Sequence, residues 1–369
     1  QLFERAQSFG EVGAGIQLGP NATRILQAWG LGDALQSVAS SPRLLRLRDV
    51  GSDRTLAQMA MAGAMEQRYG TPYLTIHRAD MHALLLQAVR DRGVACELAN
   101  AIESVAEGPQ MVRATDQFGV EYEAGALIGA DGLWSTVRAQ VVPDGLPLPT
   151  GHLAWRALLS PADLPRGVAA DEVSVWLGAQ MHLVCYPLRR GQVMNVVMVA
   201  EGASHGDITD WSQDADAEML APLIRTLHAR PAAVMQAVTQ WKLWALNERA
   251  PLPGSDAMAR GRVALVGDAS HAMRPYLAQG AVMALEDAAQ LGLSLPAATT
   301  DVPGALQAYA RARWQRNARV QRQSQRNGVI FHASGALRLA RDIALRAGGS
   351  RLLDSPWLYG HGPGGAAGG

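Results

Sequence analysis

Two short apolar runs, each ending in a paired Asp and Gly and passing at once into a helix, constrain this chain more than any other feature. Leu127-Ile128-Gly129-Ala130 meets Asp131-Gly132 and continues Leu133-Trp134-Ser135-Thr136-Val137-Arg138. Val263-Ala264-Leu265-Val266 meets Gly267-Asp268 and continues through His271 to Arg274-Pro275-Tyr276-Leu277-Ala278-Gln279-Gly280, where helical spacing begins. Apolar runs this short, bounded by turns, read as buried strands. Strands covered on both faces belong to parallel sheets with helices packed over them. The carboxyl edge of such a sheet gathers backbone N–H groups and helix N-termini, and there α/β folds bind nucleotides. An aspartate at that edge accepts from ribose hydroxyls, and a glycine loop feeding a helix N-terminus suits a group that gains negative charge. An Asp–Gly pair alone is more often a turn with a helix cap; only the full strings carry the functional reading.

The rest of the chain alternates between the two periods. Asn21 to Ala39 has helical spacing broken at Gly30, with Asn21 as its N-cap. Residues 44 to 50 alternate as a strand, Gly51 starts a turn, and a second strand follows. Ala79 to Arg92 predicts an amphipathic helix. Residues 94 to 127 predict three short strands; 152–159, 173–177, 182–188 and 193–200 predict antiparallel sheet; 214–240, 280–291 and 304–348 predict helices. The chain reads as an α/β core interrupted by a second, largely antiparallel sheet, with a Gly-rich tail from Gly360.

Composition removes several function classes. With 48% hydrophobic and 18% charged residues over 369, the chain buries a substantial core, as two domains or one large one. A formal net charge of zero argues against a nucleic-acid binder held by a basic field. Lys242 is the only lysine, and it lies between Trp241 and Trp244 in neither a P-loop nor a Schiff-base motif. Cys96 and Cys185 are too few for a disulfide framework or a cysteine zinc site; no metal is expected, and a reducing cytoplasm is. No run of 18 apolar residues or signal-like start is found, so no membrane span is expected. The arginines of 311–326 read as a solvated helix face, with a membrane-surface role as the alternative.

A third string, Met181-His182-Leu183-Val184-Cys185-Tyr186-Pro187-Leu188, reads as a strand. Period two places His182, Val184 and Tyr186 on one face and Leu183, Cys185 and Pro187 on the other. His182 and Tyr186 then both reach a phenolic ligand, and a histidine titrating near neutral pH suits a general base. A lone histidine on a strand is also a common structural group.

Together these strings resemble the FAD-dependent aromatic hydroxylases of the p-hydroxybenzoate hydroxylase fold, whose DG and GD motifs they match. Phe3-Glu4-Arg5 through Gly13-Ala14-Gly15-Ile16-Gln17-Leu18-Gly19-Pro20-Asn21, with Thr75-Ile76-His77-Arg78-Ala79-Asp80, is similar to the branch containing 3-hydroxybenzoate 6-hydroxylase, salicylate hydroxylase and 6-hydroxynicotinate 3-monooxygenase. The resemblance implies an α/β fold: a Rossmann-like FAD-binding domain (1–43, 76–150, 251–300), an inserted antiparallel-sheet substrate domain (44–75, 151–250), and C-terminal helices with the tail (301–369). It implies FAD as cofactor, with Glu4 on the adenosine ribose and Arg78 beside the flavin or pyrophosphate, unless Arg78 is a surface residue opening its helix. Asp131 and Gly132 would approach the pyrophosphate and Asp268 the ribityl or phosphate side. Pro275, Ala278, Gln279 and Gly280 would line the isoalloxazine. His182, supported by Tyr186, would be the base. Arg274 is either a carboxylate anchor or a loop charge, Tyr276 a substrate neighbour, and His271 a structural hydrogen-bonder.

The expected reaction uses NADH or NADPH and O2 to hydroxylate a hydroxyaromatic acid, with 3-hydroxybenzoate 6-hydroxylation first. Salicylate or decarboxylating 6-hydroxynicotinate hydroxylation follows, because Pro275 stands where 3-hydroxybenzoate hydroxylases carry glutamine. No nucleic acid or membrane partner is expected, and a homodimer stays open. The family's G-x-G-x-x-G turn is not found before Glu4, and Gly13-x-Gly15 does not replace it, since it follows a loop and its third position is Leu18. About thirty residues are expected ahead of Glu4, whose absence would weaken FAD binding. A fragment without FAD, or an oxidoreductase for a larger substrate, are the alternatives.

Overall fold

The computed structural model describes residues 1–10, 15–202, 207, 209–210, 213–215, 217–295 and 301–362. Its largest element is an 8-stranded sheet in the order Gln213–Ala215, Trp241–Glu248, Leu148–Leu159, Val193–Glu201, Met181–Leu188, Glu172–Gly178, Leu44–Asp49, Thr55–Ala60. All neighbours are antiparallel except Glu172–Gly178 on Leu44–Asp49. Alternation along these strands separates two faces. Trp155, Trp176, Leu183, Cys185, Met194, Val196, Met198 and Trp241 form a core that also takes in Val234 and Met235 of the helix Ala229–Gln236. Cys185 is packing, as its strand parity predicts, and burial pushes its thiol up to about 12. The opposite face, with Ala154, Val199 and Leu246, meets Tyr276 and Phe331.

The second body is built on two parallel pairs, Leu2–Phe3 with Cys96–Glu97 and Leu127–Gly129 with Val263–Leu265. Helices Pro20–Ala28, Arg78–Arg90 and Gly280–Ser294 pack around a core of Leu18, Ile25, Leu26, Ile76, Met81, Val282 and Met283. Helix Arg78–Arg90 starts where the His77 side chain accepts from Ala79 N–H, has Asp80 in its first turn and ends on Arg90. The helix Val302–Phe331, 30 residues and about 45 Å long, ties the two bodies together. No described helix is long and apolar enough to cross a membrane.

Three expectations are corrected. Asn21 is not an N-cap: Gly19 takes that place, and the Asn21 amide donates to Gln279 and Glu286 in the interior. Residues 214–240 are not one helix. Gln213–Ala215 pairs with Trp241–Glu248, a strand the periodicity did not show, and helix is confined to short segments ending with Ala229–Gln236. Residues 211, 212 and 216 lie outside the described residues, as do 363–369 of the tail and Gly13. The arginine stretch is not wholly solvated, for Arg313 is buried and Arg316 half-buried.

Candidate functional site

Pairing of Leu127–Gly129 with Val263–Leu265 sets the two motif loops side by side. Asp131 accepts from the Ser135 hydroxyl and, at 3.0 Å, from Val137 N–H. Its carboxylate therefore shapes the loop and the start of helix Thr136–Val141. Gly132 has φ +77, a conformation glycine adopts without strain, and a Cβ there would meet nothing within 4 Å. Arg138, the last residue of the first string, crosses to the second. It donates at 2.8 Å to the carbonyls of Ala269 and Ser270 and holds Asp144, to which Arg249 also donates at 3.1 Å.

A buried ionic network fixes the second loop from below. Asp287 accepts from Gly267 N–H (3.1 Å), pairs with His271 Nε2 (2.6 Å), and accepts from Arg313 (2.8 Å) and Asn317 (3.0 Å). Burial pushes the Asp287 carboxyl up, but the charges and hydrogen bonds of His271 and Arg313 outweigh it and hold the group down to about 2. Glu286 binds Arg313, Arg316 and Asn21. Asn21 in turn holds Gln279 at 3.1 Å. His271 is thus a structural hydrogen-bonder, as its position after the motif suggests.

Above this network the second loop runs into the helix Gly280–Ser294. Helix Gly280–Ser294 has no side-chain cap, and a Cβ on Gly280 would lie 3.9 Å from Asp268 Oδ1. Ala278 holds φ +52, a left-handed conformation costly for a residue with a Cβ. Arg78 keeps solvent contact yet is flanked closely enough that desolvation lowers its pKa, opposed by the nearby Asp268 charge. Arg78 is exposed and opens the helix Arg78–Arg90, as its surface reading expects, with the Asp268 charge nearby. Arg156 lies buried, its guanidinium 5.0 Å from the Trp244 ring, and burial and then the Arg78 charge lower it to about 10. Open backbone at Gly132 and Gly280, an uncapped helix N-terminus and Arg78 near Asp268 fit the anionic and ribityl parts of FAD. Pro275 is exposed in the short turn Pro275–Leu277 of the same loop. Glu4 stands just past the strand Leu2–Phe3, its carboxylate accepting from Ala6 N–H at 2.8 Å.

His182 and Tyr186 share a sheet face but not a neighbourhood. The His182 ring is surrounded by Tyr276 (5.2 Å between centroids), Phe331 (5.5 Å) and His332 (5.1 Å). Its Nδ1 lies 2.9 Å from His332 Nε2, leaving Nε2 for a ligand. Tyr186 turns instead to Gly15 and Gln17. The expected support of His182 by Tyr186 is therefore corrected: four residues of strand separate them by about 13 Å, and Tyr276 stands beside His182 in its place. The Tyr276 hydroxyl is buried without a hydrogen-bond partner among the described residues. Arg274 is also corrected as an open anchor, since its guanidinium grips Glu248 in a fork at 2.7 and 3.0 Å. The sequence reading missed Arg156, Phe331 and His332. Arg156 sits in an ordinary strand, and the other two end a long helix outside any motif.

The family model described as "FAD binding domain" matches residues 3–324. The chain is 36% identical to 3-hydroxybenzoate 6-hydroxylase 1 of Aquipseudomonas alcaligenes, over 97% of this chain and 91% of that protein. It is 35% identical to 3-hydroxybenzoate 6-hydroxylase of Polaromonas naphthalenivorans (strain CJ2), over 98% and 89%. Its fold is similar to Klebsiella pneumoniae HpxO complexed with FAD and uric acid, with a TM-score of 0.82 at 22% identity over 95% of this chain and 87% of that one. A family match over most of the chain and relatives of this identity place it in its class: the chain belongs to the FAD-dependent monooxygenases that carry this FAD-binding domain.

Proposed function

We propose that this monooxygenase hydroxylates a hydroxybenzoate, with 3-hydroxybenzoate attacked at C6 as the first substrate. The observation that carries the reading is the buried His182, its Nδ1 held by His332 and its ring set among aromatic neighbours, on the sheet face that packs against Tyr276 of the second motif loop. FAD, once reduced by NADH or NADPH, supplies the activated oxygen. The residues do the rest. His182 Nε2 takes the phenolic proton, which enriches the ring carbons ortho and para to the oxygen; C6 is para to the 3-hydroxyl. Burial, then the neighbouring His332 and His152, lower the His182 pKa well below its usual value, so the ring rests neutral and is a weaker base than the near-neutral histidine expected from the sequence. Tyr276 and Phe331 pack the ring and exclude water. The neighbouring charges of Arg78 and Arg156 add a positive potential that draws in an anionic substrate. Glu4, Arg78, Asp131, Gly132, Asp268, Pro275, Ala278, Gln279 and Gly280 would hold the cofactor, with Asp131 acting through the loop it shapes.

FAD-loaded protein should oxidise NAD(P)H in response to 3-hydroxybenzoate and release 2,5-dihydroxybenzoate, read by chromatography. Oxidation with no hydroxylated product from any hydroxybenzoate would sink the proposal. Pro275 favours one second reading, salicylate or 6-hydroxynicotinate with loss of CO2, which the same assay separates by its product.

A further inference from the structure

We propose that His332 and Glu201 carry the substrate's proton from His182 out to solvent, so that His332 is a functional member of the site. The inference rests on the reading of His182 as base. His182 lies buried on its strand. Its Nδ1 is 2.9 Å from His332 Nε2, so one proton lies between the rings. His332 Nδ1, on the far side, is buried and has no hydrogen-bond partner among the described residues; it stands 4.0 Å from Glu201 Oε1. The Glu201 side chain is 43% exposed, so rotation or one bridging water closes the gap. The three groups follow one another from the buried His182 ring to the exposed Glu201 carboxylate.

The fold fixes that line by backbone. His332 caps the C-terminus of Val302–Phe331, its carbonyl accepts from Gln180 N–H at 3.0 Å, and Glu201 N–H donates to Gln180 carbonyl at 2.9 Å. In the transfer, the phenol O–H breaks and His182 Nε2–H forms. His182 Nδ1 gives its proton to His332 Nε2, and His332 Nδ1 gives its own to Glu201. Both imidazoles end neutral in the opposite tautomer, and one proton leaves. The groups facing His332 explain why it passes the proton on. Burial, then His152, Arg274 and Arg341, disfavour its cationic form, and the Glu201 carboxylate draws the proton outward.

The test mixes FAD-loaded protein with 3-hydroxybenzoate in weakly buffered solution and follows phenolate absorbance and a pH-indicator dye by stopped flow. His332→Gln keeps a polar side chain but cannot exchange tautomers. Both it and the exposed-side variant Glu201→Gln should slow phenolate formation and proton release at least about tenfold, with binding of 3-hydroxybenzoate changed less than about twofold. Added imidazole should restore part of the rate in His332→Ala. Wild-type rates in both Gln variants, with release abolished in His182→Ala, would overturn the relay and leave the base assignment standing. No release from the wild type, or wild-type release from His182→Ala, would overturn the base assignment and the relay with it.

Discussion

His182, Tyr276 and Gly328 show how single atoms set this site. A Cβ on Gly328 would lie 2.9 Å from Tyr276 Cε2, a rigid ring atom, so the long helix carries glycine here to admit the Tyr276 ring beside His182. Gly328→Ala should cost about 1–3 kcal/mol through this overlap and push Tyr276 off the histidine. The product formed per NAD(P)H consumed should then fall; unchanged yield would show that Tyr276 does not shape the pocket. His182→Ala should leave reduction of FAD by NAD(P)H intact while O2 is diverted to hydrogen peroxide, because the ring is no longer activated. Peroxide assayed alongside product checks this, and a normal product yield would remove His182 from its role. Gly15 is explained in the same way: a Cβ there would sit 2.5 Å from Tyr186 Cε2.

At the scale of elements, the two motif loops act as one unit because side chains from distant elements clamp them. Arg138 bonds loop to loop, and Asp287 binds the backbone of Gly267 while Arg313 reaches it from Val302–Phe331. Removing Arg313 takes away the one cation the two buried carboxylates share and leaves Glu286 to Arg316 and Asp287 to His271, a loss of about 3–5 kcal/mol. Arg313→Ala should therefore lower the unfolding temperature and weaken FAD retention together, measured by calorimetry and flavin fluorescence; a change in neither would mean the network is dispensable. The motif strings themselves were legible in sequence, since a strand ending in Asp and Gly has few other uses. So were the strands of residues 44–49 and 181–188 and the helix after Gly280, where periodicity is regular. The inward turn of Arg313 was not legible. On a long helix rich in arginine, charge alone favours solvent, and only the distant Glu286 and Asp287 reverse that choice. The strand Trp241–Glu248 was hidden for a related reason: its pairing with Leu148–Leu159 lies far off in sequence.

For the whole molecule, two bodies meet across a surface that buries neutral histidines, and this makes stability depend on acid. Burial pushes His332 down to about 3, and His182 is lowered as well, so the unfolded chain binds more protons than the folded one below the ordinary histidine range. The stability is fully present above about pH 6.5 and is lost as pH falls toward about 3. Unfolding temperature should decline over that window, and His332→Gln should flatten the decline; an identical profile in the variant would contradict the assignment. All these features converge on one claim, that FAD held beside Asp268 and a phenolic acid held by His182 meet between the two bodies for oxygen transfer. The most direct measurement is a reaction of the FAD-loaded protein with NADH, 3-hydroxybenzoate and isotopically labelled O2, followed by mass spectrometry of the product. The product should be 2,5-dihydroxybenzoate carrying one labelled oxygen atom. Unlabelled product, or NADH consumed with peroxide as the sole fate of oxygen, would contradict it.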